Sequence, residues 1–325
     1  MNVGEKEAIN EMKSNLKKLF DCADEGEMHE YVGCKLDINR DNRSMKITQP
    51  VLLQSYNDEF KLPTIKPKTL LPAGCIMSRG KSNELISASM QKRYQSGTGK
   101  ILHMSRWSRP ESLNSVRETC RFAQGATKEQ YNSVHRIMKY YHVTPKRGWY
   151  LRPKRTWDGK DKNFEFIILG KSDETFASCP DTRRSTTGGS VFLEGAPVMC
   201  TSQGQKYCAL SVTESSLIAA VTVAQHMLYI MNLLYTFELK VKLPMIIEID
   251  NKGCVDLINN WSVSGRTRHI DVKKNFMREL KEKGILKAVW KAGEDNSSVL
   301  FTKNLPGPSF EKYAKEYVGI DEYMK

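Results

Sequence analysis

The sequence predicts an α/β protein, in which a mixed sheet with helices on its faces is preceded by a mostly helical region. Two patterns predict this fold. From residue 164 onward, three strand-like segments follow one another, and helix and strand patterns then alternate, which is the order of such a sheet. Residues 84–142 instead show the apolar spacing of helices. With 325 residues and 40% hydrophobic content, the chain suggests about two domains.

A proline cluster divides the first half of the chain. The elements predicted before it are a surface helix at residues 5–20, a hairpin from residues 31–38 and 44–49, and a second helix near residues 51–60. Pro63, Pro67 and Pro72 then mark a linker within residues 62–80. We therefore divide the chain into residues 1–62, residues 63–162 and residues 163–325.

The second half alternates between the two periodicities. Strands are predicted at residues 164–170, 190–194, 197–201, 245–250 and 285–290, and helices at residues 213–237, 253–259, 273–283 and 310–317. The apolar stretch 217–237 is long enough for a membrane span. Gln225, His226 and Asn232 interrupt it, so a buried core helix is the better interpretation and no membrane partner is expected.

Charge and cysteine content limit the function classes. A formal net charge of +13 favours a polyanionic partner, either nucleic acid or an anionic membrane surface. No two of the eight cysteines form a C-x-x-C pair, so a zinc site is not indicated and reduced thiols are expected. Residues 1–20 predict a charged amphipathic helix rather than a secretory signal, which indicates a cytosolic or nuclear location.

Three acidic residues lie at the ends of predicted elements in the second half. Asp173 follows the first strand, Glu214 lies in the first turn of the long helix, and Asp250 ends a buried strand. Because ligands of open sheets often gather at strand ends, these acids are expected to share one site. Carboxylates without a histidine cluster favour magnesium, and a pair of such ions supports phosphodiester hydrolysis. From spacing alone, helix capping and surface acids explain the same residues.

Short motifs surround these acids in a fixed order. They are S-D-E-T-F-A at 172–177, C-P-D-T-R-R-S-T-T-G at 179–188, A-P at 196–197, S-Q-G-Q-K at 202–206, A-L-S-V-T-E at 209–214, I-D-N-K-G at 249–253, R-T-R-H-I-D at 266–271, F-M-R-E at 276–279, F-T-K at 301–303 and L-P at 305–306. This series resembles the ribonuclease H domain that ends a copia-type LTR retrotransposon Pol polyprotein. The resemblance implies a ribonuclease H-like fold that hydrolyses the RNA strand of RNA–DNA hybrids. It also implies Mg²⁺ (or Mn²⁺) ions held by Asp173, Glu214 and Asp250.

The first half resembles the end of the reverse transcriptase of the same polyprotein. E-Y-V-G at 30–33 with Gln49 is similar to the hairpin after the polymerase centre, and S-R-P at 108–110 with residues 135–141 is similar to the thumb and connection. The family's paired polymerase aspartates would lie upstream of Met1. No polymerase activity is therefore expected from this chain alone, and the upstream polymerase segments are candidate partners.

One position departs from the family pattern. When the chain is aligned on F-T-K at 301–303, the fourth acid of the family falls at Val299, which cannot bind a metal. Glu294 and Asp295 lie one turn away and would approach the site from another direction. His269 and Asp271 stay outside the predicted core site, because a histidine before a helix serves as a cap or packing residue as readily as a proton shuttle.

Basic residues supply candidate phosphate contacts. They are Arg183, Arg184, Lys206, Lys252, Arg266 and Arg268, with solvated surface charge as the alternative. Residues 138–157 interleave basic and aromatic side chains, which suits either a nucleic-acid surface or a packed connector. Three hypotheses follow for the chain: a nuclease impaired at Val299, a catalytically silent nucleic-acid-binding module, or a decayed fragment of a polyprotein.

Overall fold

The computed structural model describes residues 6–24, 26–260 and 271–319. The elements of the first half are α1 (Lys6–Leu19), β1 (Glu30–Tyr31), β2 (Cys34–Asn39), β3 (Ser44–Thr48), α2 (Pro50–Glu59), α3 (Ala88–Trp107), α4 (Leu113–Cys120), α5 (Lys128–Val143) and β4 (Trp149–Leu151). Strands β1 to β4 form one antiparallel sheet in chain order. The predicted helices and hairpin are confirmed.

The proline-rich segment has no helix or strand across residues 62–80, and its role as a linker stays a prediction. It is nevertheless packed, because Leu70, Leu71 and Met77 are buried in the core of the first half.

Most side chains of residues 138–157 are buried or half-buried. Tyr140 and Tyr141 are fully buried, so in this stretch the packed-connector interpretation fits the two tyrosines.

The second half forms a mixed five-stranded sheet. Its elements are β5 (Glu165–Phe166), β6 (Ile168–Thr175), β7 (Thr186–Leu193), β8 (Ala196–Gly204), α6 (Val212–Thr236), β9 (Lys240–Val241), β10 (Met245–Ile249), α7 (Lys252–Asn259), α8 (Asp271–Glu282), β11 (Leu286–Trp290) and α9 (Gly307–Val318). The order is β11-β10-β6-β7-β8, with β10 parallel to β6 and β11, and β7 antiparallel to β6 and β8. The predicted mixed sheet with flanking helices is confirmed.

Strand β6 extends five residues beyond the predicted end at residue 170. The polar segment that follows stays extended because β7 pairs with it as far as Thr175 and β10 pairs with it as far as Ser172. These backbone hydrogen bonds offset the poor strand preference of Asp and Glu. Asp173 therefore lies inside the strand rather than after it.

Two apolar clusters cover the two faces of this sheet. Helices α6, α7 and α8 supply one cluster together with β6 and β10. The other cluster joins α3, α4 and α5 of the first half to α9 and to the 3₁₀ segment Ser297–Phe301. This second cluster contains residues from both sides of position 162, and the three-part division of the chain stays a prediction.

Helix α6 is the long apolar element noted in the sequence. By length and composition it is the one helix among the described residues that could cross a membrane, and 56% of its most apolar window is buried inside the protein. Its contacts are with β6, β7 and β10 and with α7 and α8. This packing is what the core-helix interpretation predicts.

Candidate active site

Two of the three predicted acids meet at the carboxyl ends of neighbouring parallel strands. Ile249 of β10 pairs with Ser172 of β6. Asp250 directly follows Ile249, and Asp173 directly follows Ser172, so the two acids lie side by side. Asp173 is 2% exposed, and Asp250 is half-buried. Burial, with the carboxyl of Asp250 beside it, raises the pKa of Asp173 to about 7, because burial disfavours the charged carboxylate and the neighbouring carboxyl repels it.

The segment after the 3₁₀ turn supplies the partners of Asp173. The Thr302 hydroxyl donates a hydrogen bond to Asp173 Oδ2, and Lys303 Nζ lies 3.8 Å from the same oxygen. Both contacts favour the charged carboxylate and oppose the effect of burial. The F-T-K motif therefore places one hydroxyl and one ammonium group at the aspartate pair.

Glu214 occupies the first turn of α6, as predicted, and is 2% exposed. Its backbone N–H donates to Ser211 Oγ at 3.1 Å, and its Oε2 accepts from the Leu210 N–H at 2.7 Å. These bonds satisfy donors at a helix start. Among the described residues, no three Asp, Glu, His or Cys side chains are grouped closely enough to hold one metal ion. In the structure, therefore, Asp173 and Asp250 lie together, whereas Glu214 makes capping contacts at the start of α6. The metal-binding role of Glu214 stays a prediction.

Val299 lies in the turn that holds Thr302 against Asp173. Its carbonyl accepts from the Thr302 N–H at 3.2 Å and from the Lys303 N–H at 3.1 Å. Residues three apart in a 3₁₀ helix lie on the same side, so an acid at position 299 would point toward the side that Thr302 occupies. Glu294 and Asp295 are both exposed in the preceding turn, where the Glu294 carbonyl accepts from Lys312 and Tyr313.

Sequence reasoning missed Glu174 as a neighbour of this site. Burial raises the pKa of Glu174 to about 8, and Asp173 and Asp250 contribute to that rise, whereas Ser216 lowers it. Because side chains alternate along a strand, Glu174 points to the opposite face of the sheet from Asp173. The signal was present in the sequence, since Glu174 directly follows Asp173, but its burial depended on the unpredicted extension of β6.

The predicted phosphate contacts lie at the same edge of the sheet. Arg183 and Arg184 lie in the connection from β6 to β7, Lys206 follows β8, and Lys252 begins α7 directly after Asp250. The antiparallel register of β6, β7 and β8 brings the end of β6, the start of β7 and the end of β8 together. All four side chains are exposed.

The remaining candidates are less informative. Arg266, Arg268 and His269 lie outside the described residues. Asp271 is the first residue of α8 and pairs with Lys274 at 2.7 Å, which is a helix-terminus contact. All eight cysteines are free of disulfide bonds in the structure, and their reduced state stays a prediction.

Comparison with known proteins places most of this chain beside retrotransposon polyproteins. It is 27% identical to the retrovirus-related Pol polyprotein from transposon TNT 1-94 of Nicotiana tabacum over 323 residues, which is 97% of this chain and 23% of that protein. It is 24% identical to the Pol polyprotein from transposon RE1 of Arabidopsis thaliana over 94% of this chain and 20% of that protein. The predicted resemblance is confirmed, and the chain spans about a fifth of the length of these relatives.

One further sequence relative and two solved structures resemble shorter parts of the chain. The secreted RxLR effector protein 161 of Plasmopara viticola is 29% identical over 126 residues, 39% of this chain and 82% of that protein. Among solved structures, LC11-RNase H1 from compost covers 45% of this chain and 96% of its own length at 13% identity with a TM-score of 0.34. The RNase H domain of rv2228c from Mycobacterium tuberculosis covers 46% and 98% at 10% identity with a TM-score of 0.33. No protein-family model matches the chain.

Proposed function

We propose that residues 163–325 bind RNA–DNA hybrids and hydrolyse the RNA strand with Mg²⁺ or Mn²⁺, at a rate reduced by the loss of the fourth acid. The observation that carries this proposal is the pairing of Asp173 with Asp250 at the carboxyl ends of β6 and β10. The similarity to Pol polyproteins over most of the chain supports it. We further propose a cytosolic or nuclear location, with the polymerase segments of a Pol polyprotein as partners.

The aspartate pair fits a hard divalent cation. Carboxylate oxygens are the donors that Mg²⁺ prefers. Burial, with the carboxyl of Asp250 beside it, raises the pKa of Asp173, and a bound cation would counter both effects because it favours the charged carboxylates. Asp173 and Asp250 would hold the ion, and Glu214 would join them if it exchanged its bond to Leu210. When bound, the ion would activate water and stabilise charge on the phosphate.

The chain's own groups contribute two further functions. Thr302 and Lys303 hold the Asp173 carboxylate in one orientation through the contacts described above. Arg183, Arg184, Lys206 and Lys252 surround the same edge, where they would bind phosphates and so position a hybrid without reading its sequence. The 2′-hydroxyls would then distinguish the RNA strand.

Val299 supports a second candidate function. Without a carboxylate at this position, the site lacks one ligand on the side of the 3₁₀ segment. The basic edge would still bind a hybrid, because phosphate contacts do not depend on the metal. A catalytically silent hybrid-binding module is therefore the alternative.

The test is cleavage of a labelled RNA–DNA hybrid with Mg²⁺ or Mn²⁺ by the full chain and by three variants. Asp250→Asn should abolish cleavage, and Val299→Asp should increase it. Asp256→Asn, an exposed aspartate of α7, is the matched control and should cut like the parent chain. Cleavage by Val299→Asp alone would establish the silent module. Absence of both cleavage and salt-sensitive hybrid binding would overturn the assignment.

A further inference from the structure

A cavity of about 850 Å³ lies in the first half of the chain, away from the aspartate pair. One wall is the proline-rich segment, and the other is a face of α5. Lys128, Tyr131, Asn132, His135 and Arg136 form that face, with the three- and four-residue spacing that aligns side chains on a helix. A cavity of this volume is large enough for a small organic ligand.

The wall of this cavity is strongly basic. Lys61, Arg93, Lys128 and Arg136 line it, against the single carboxylate of Glu129. None of these four cations forms a salt bridge among the residues that the structure describes. Arg93 donates to the Glu59 carbonyl at 2.9 Å, and Arg136 donates to the Leu70 carbonyl at 3.1 Å, so both are positioned by neutral acceptors. The cavity wall therefore carries a net positive charge that complements an anion.

The same cavity contains a fixed aromatic pair. The rings of Tyr131 and His135 lie 4.4 Å apart at an interplanar angle of 37°, and His135 Nδ1 lies 2.9 Å from the Tyr131 carbonyl oxygen. The ring of Phe60 supports His135 edge-on at 5.7 Å. Pro63 and Ile65 add apolar surface on the opposite wall. The ammonium of Lys128 lies 5.1 Å from the centroid of the Tyr131 ring. The cavity therefore offers a flat, apolar group an aromatic surface with a cation directly beside it.

We propose that this cavity binds a nucleoside phosphate, with the base against the rings of Tyr131 and His135 and the phosphates on Lys61, Arg93 and Lys128. Stacking on an aromatic ring beside cationic side chains is the chemistry that holds nucleotides without reading sequence. The same chemistry is offered by a free nucleotide and by the terminal nucleotide of a strand. The site is independent of the Asp173–Asp250 pair.

Calorimetric titration of the full chain with ADP in EDTA tests the charge. Arg93→Gln and Lys128→Gln should each weaken ADP binding by about tenfold, the effect of losing one charge-assisted phosphate contact. Lys92→Gln removes the same charge from the neighbouring exposed residue of α3, which does not line the cavity, and should leave the affinity unchanged. An equal loss of ADP affinity in all three variants would show that binding depends only on the net charge of the protein, and would overturn the proposed site.

Further variants and ligands test whether the base stacks on Tyr131 and whether the ligand is a free nucleotide or a strand end. Tyr131→Leu should weaken ADP binding while Tyr131→Phe retains it, and thermal unfolding should show that both variants stay folded. Pyrophosphate or an acidic peptide that binds as tightly as ADP would overturn the stacking part of the proposal. Tighter binding of a 5′-phosphorylated oligonucleotide than of ADP would identify a strand end as the ligand. Asp250→Asn should bind ADP like the parent, so this proposal and the nuclease proposal fail separately.

Discussion

The two faces of the central sheet are covered in different ways. The face under α6, α7 and α8 is covered by residues of the second half alone. Helix α6 packs so closely on this face that a Cβ on Gly170 of β6 would lie 2.5 Å from Met227 Sδ. The opposite face is covered by α9 and the 3₁₀ segment together with helices of the first half. Because Asp173 points to this second face, the candidate site depends on packing across the two halves.

Polar contacts hold the F-T-K motif to the first half. Asn304 accepts a hydrogen bond from Ser115 Oγ at 2.8 Å and donates one to the Cys75 carbonyl at 2.7 Å. Arg147 pairs with Glu311 of α9 at 2.7 Å. Thr302 and Lys303, which contact Asp173, directly precede Asn304. The helical half therefore acts as a support for the candidate site.

The largest expected effect comes from removing the first half. A fragment of residues 163–325 would expose Leu300 and Phe310, which are buried in the shared cluster, and would leave Glu311 without Arg147. We expect it to lose the cooperative thermal transition of the full chain or to aggregate. Circular dichroism melting checks this, with co-expression of residues 1–162 as the control. A fragment as stable as the full chain would show that the two faces are equivalent.

A smaller effect is expected from one side chain on the shared face. Phe301 is fully buried and packs edge-on against Tyr317 at 5.0 Å. Phe301→Ala should lower the free energy of unfolding by about 3–5 kcal/mol, measured by urea titration. Phe237→Ala is the matched control: Phe237 is 57% exposed, so a change below about 1 kcal/mol is expected. Similar losses at both positions would contradict the proposed importance of the shared face.

The order of elements was predictable because it depends on local periodicity and pairing. The hairpin at β2 and β3, the long helix α6 and the buried strand β10 all followed from the spacing of apolar residues. The end of β6 did not, because residues 171–175 are polar and are held extended by β7 and β10, which are distant in sequence. Tertiary pairing there overrides local preference.

The candidate site was predictable in part for the same reason. Strand ends indicated that Asp173 and Asp250 converge, and parallel register brings them together. Glu214 also lies in the predicted turn, but its bond to the Leu210 N–H depends on side-chain direction, which spacing does not determine. The packing of Tyr140 likewise depends on α9, whose Phe310 contacts it edge-on at 5.8 Å, and this long-range contact has no local signal.

The smallest effect we predict concerns pH. The pKa of Asp173 is raised to about 7 in the folded protein, so folding binds a proton between about pH 4 and pH 7, and this group makes the protein less stable as pH rises through that window. Asp173→Asn keeps an acceptor for Thr302 but removes the charge. In EDTA it should be more stable than the parent by about 1–3 kcal/mol at pH 8, with no gain at pH 4.

Urea titrations from pH 4 to pH 8 measure this difference. Asp256→Asn, at an exposed position of α7, should follow the parent at every pH. Mg²⁺ at pH 8 should stabilise the parent more than Asp173→Asn, because a cation relieves the repulsion between Asp173 and Asp250. If the free energy of unfolding changed with pH in the same way for the parent and for Asp173→Asn, burial would not destabilise the Asp173 carboxylate. The contrast between the two faces would then rest on apolar packing alone.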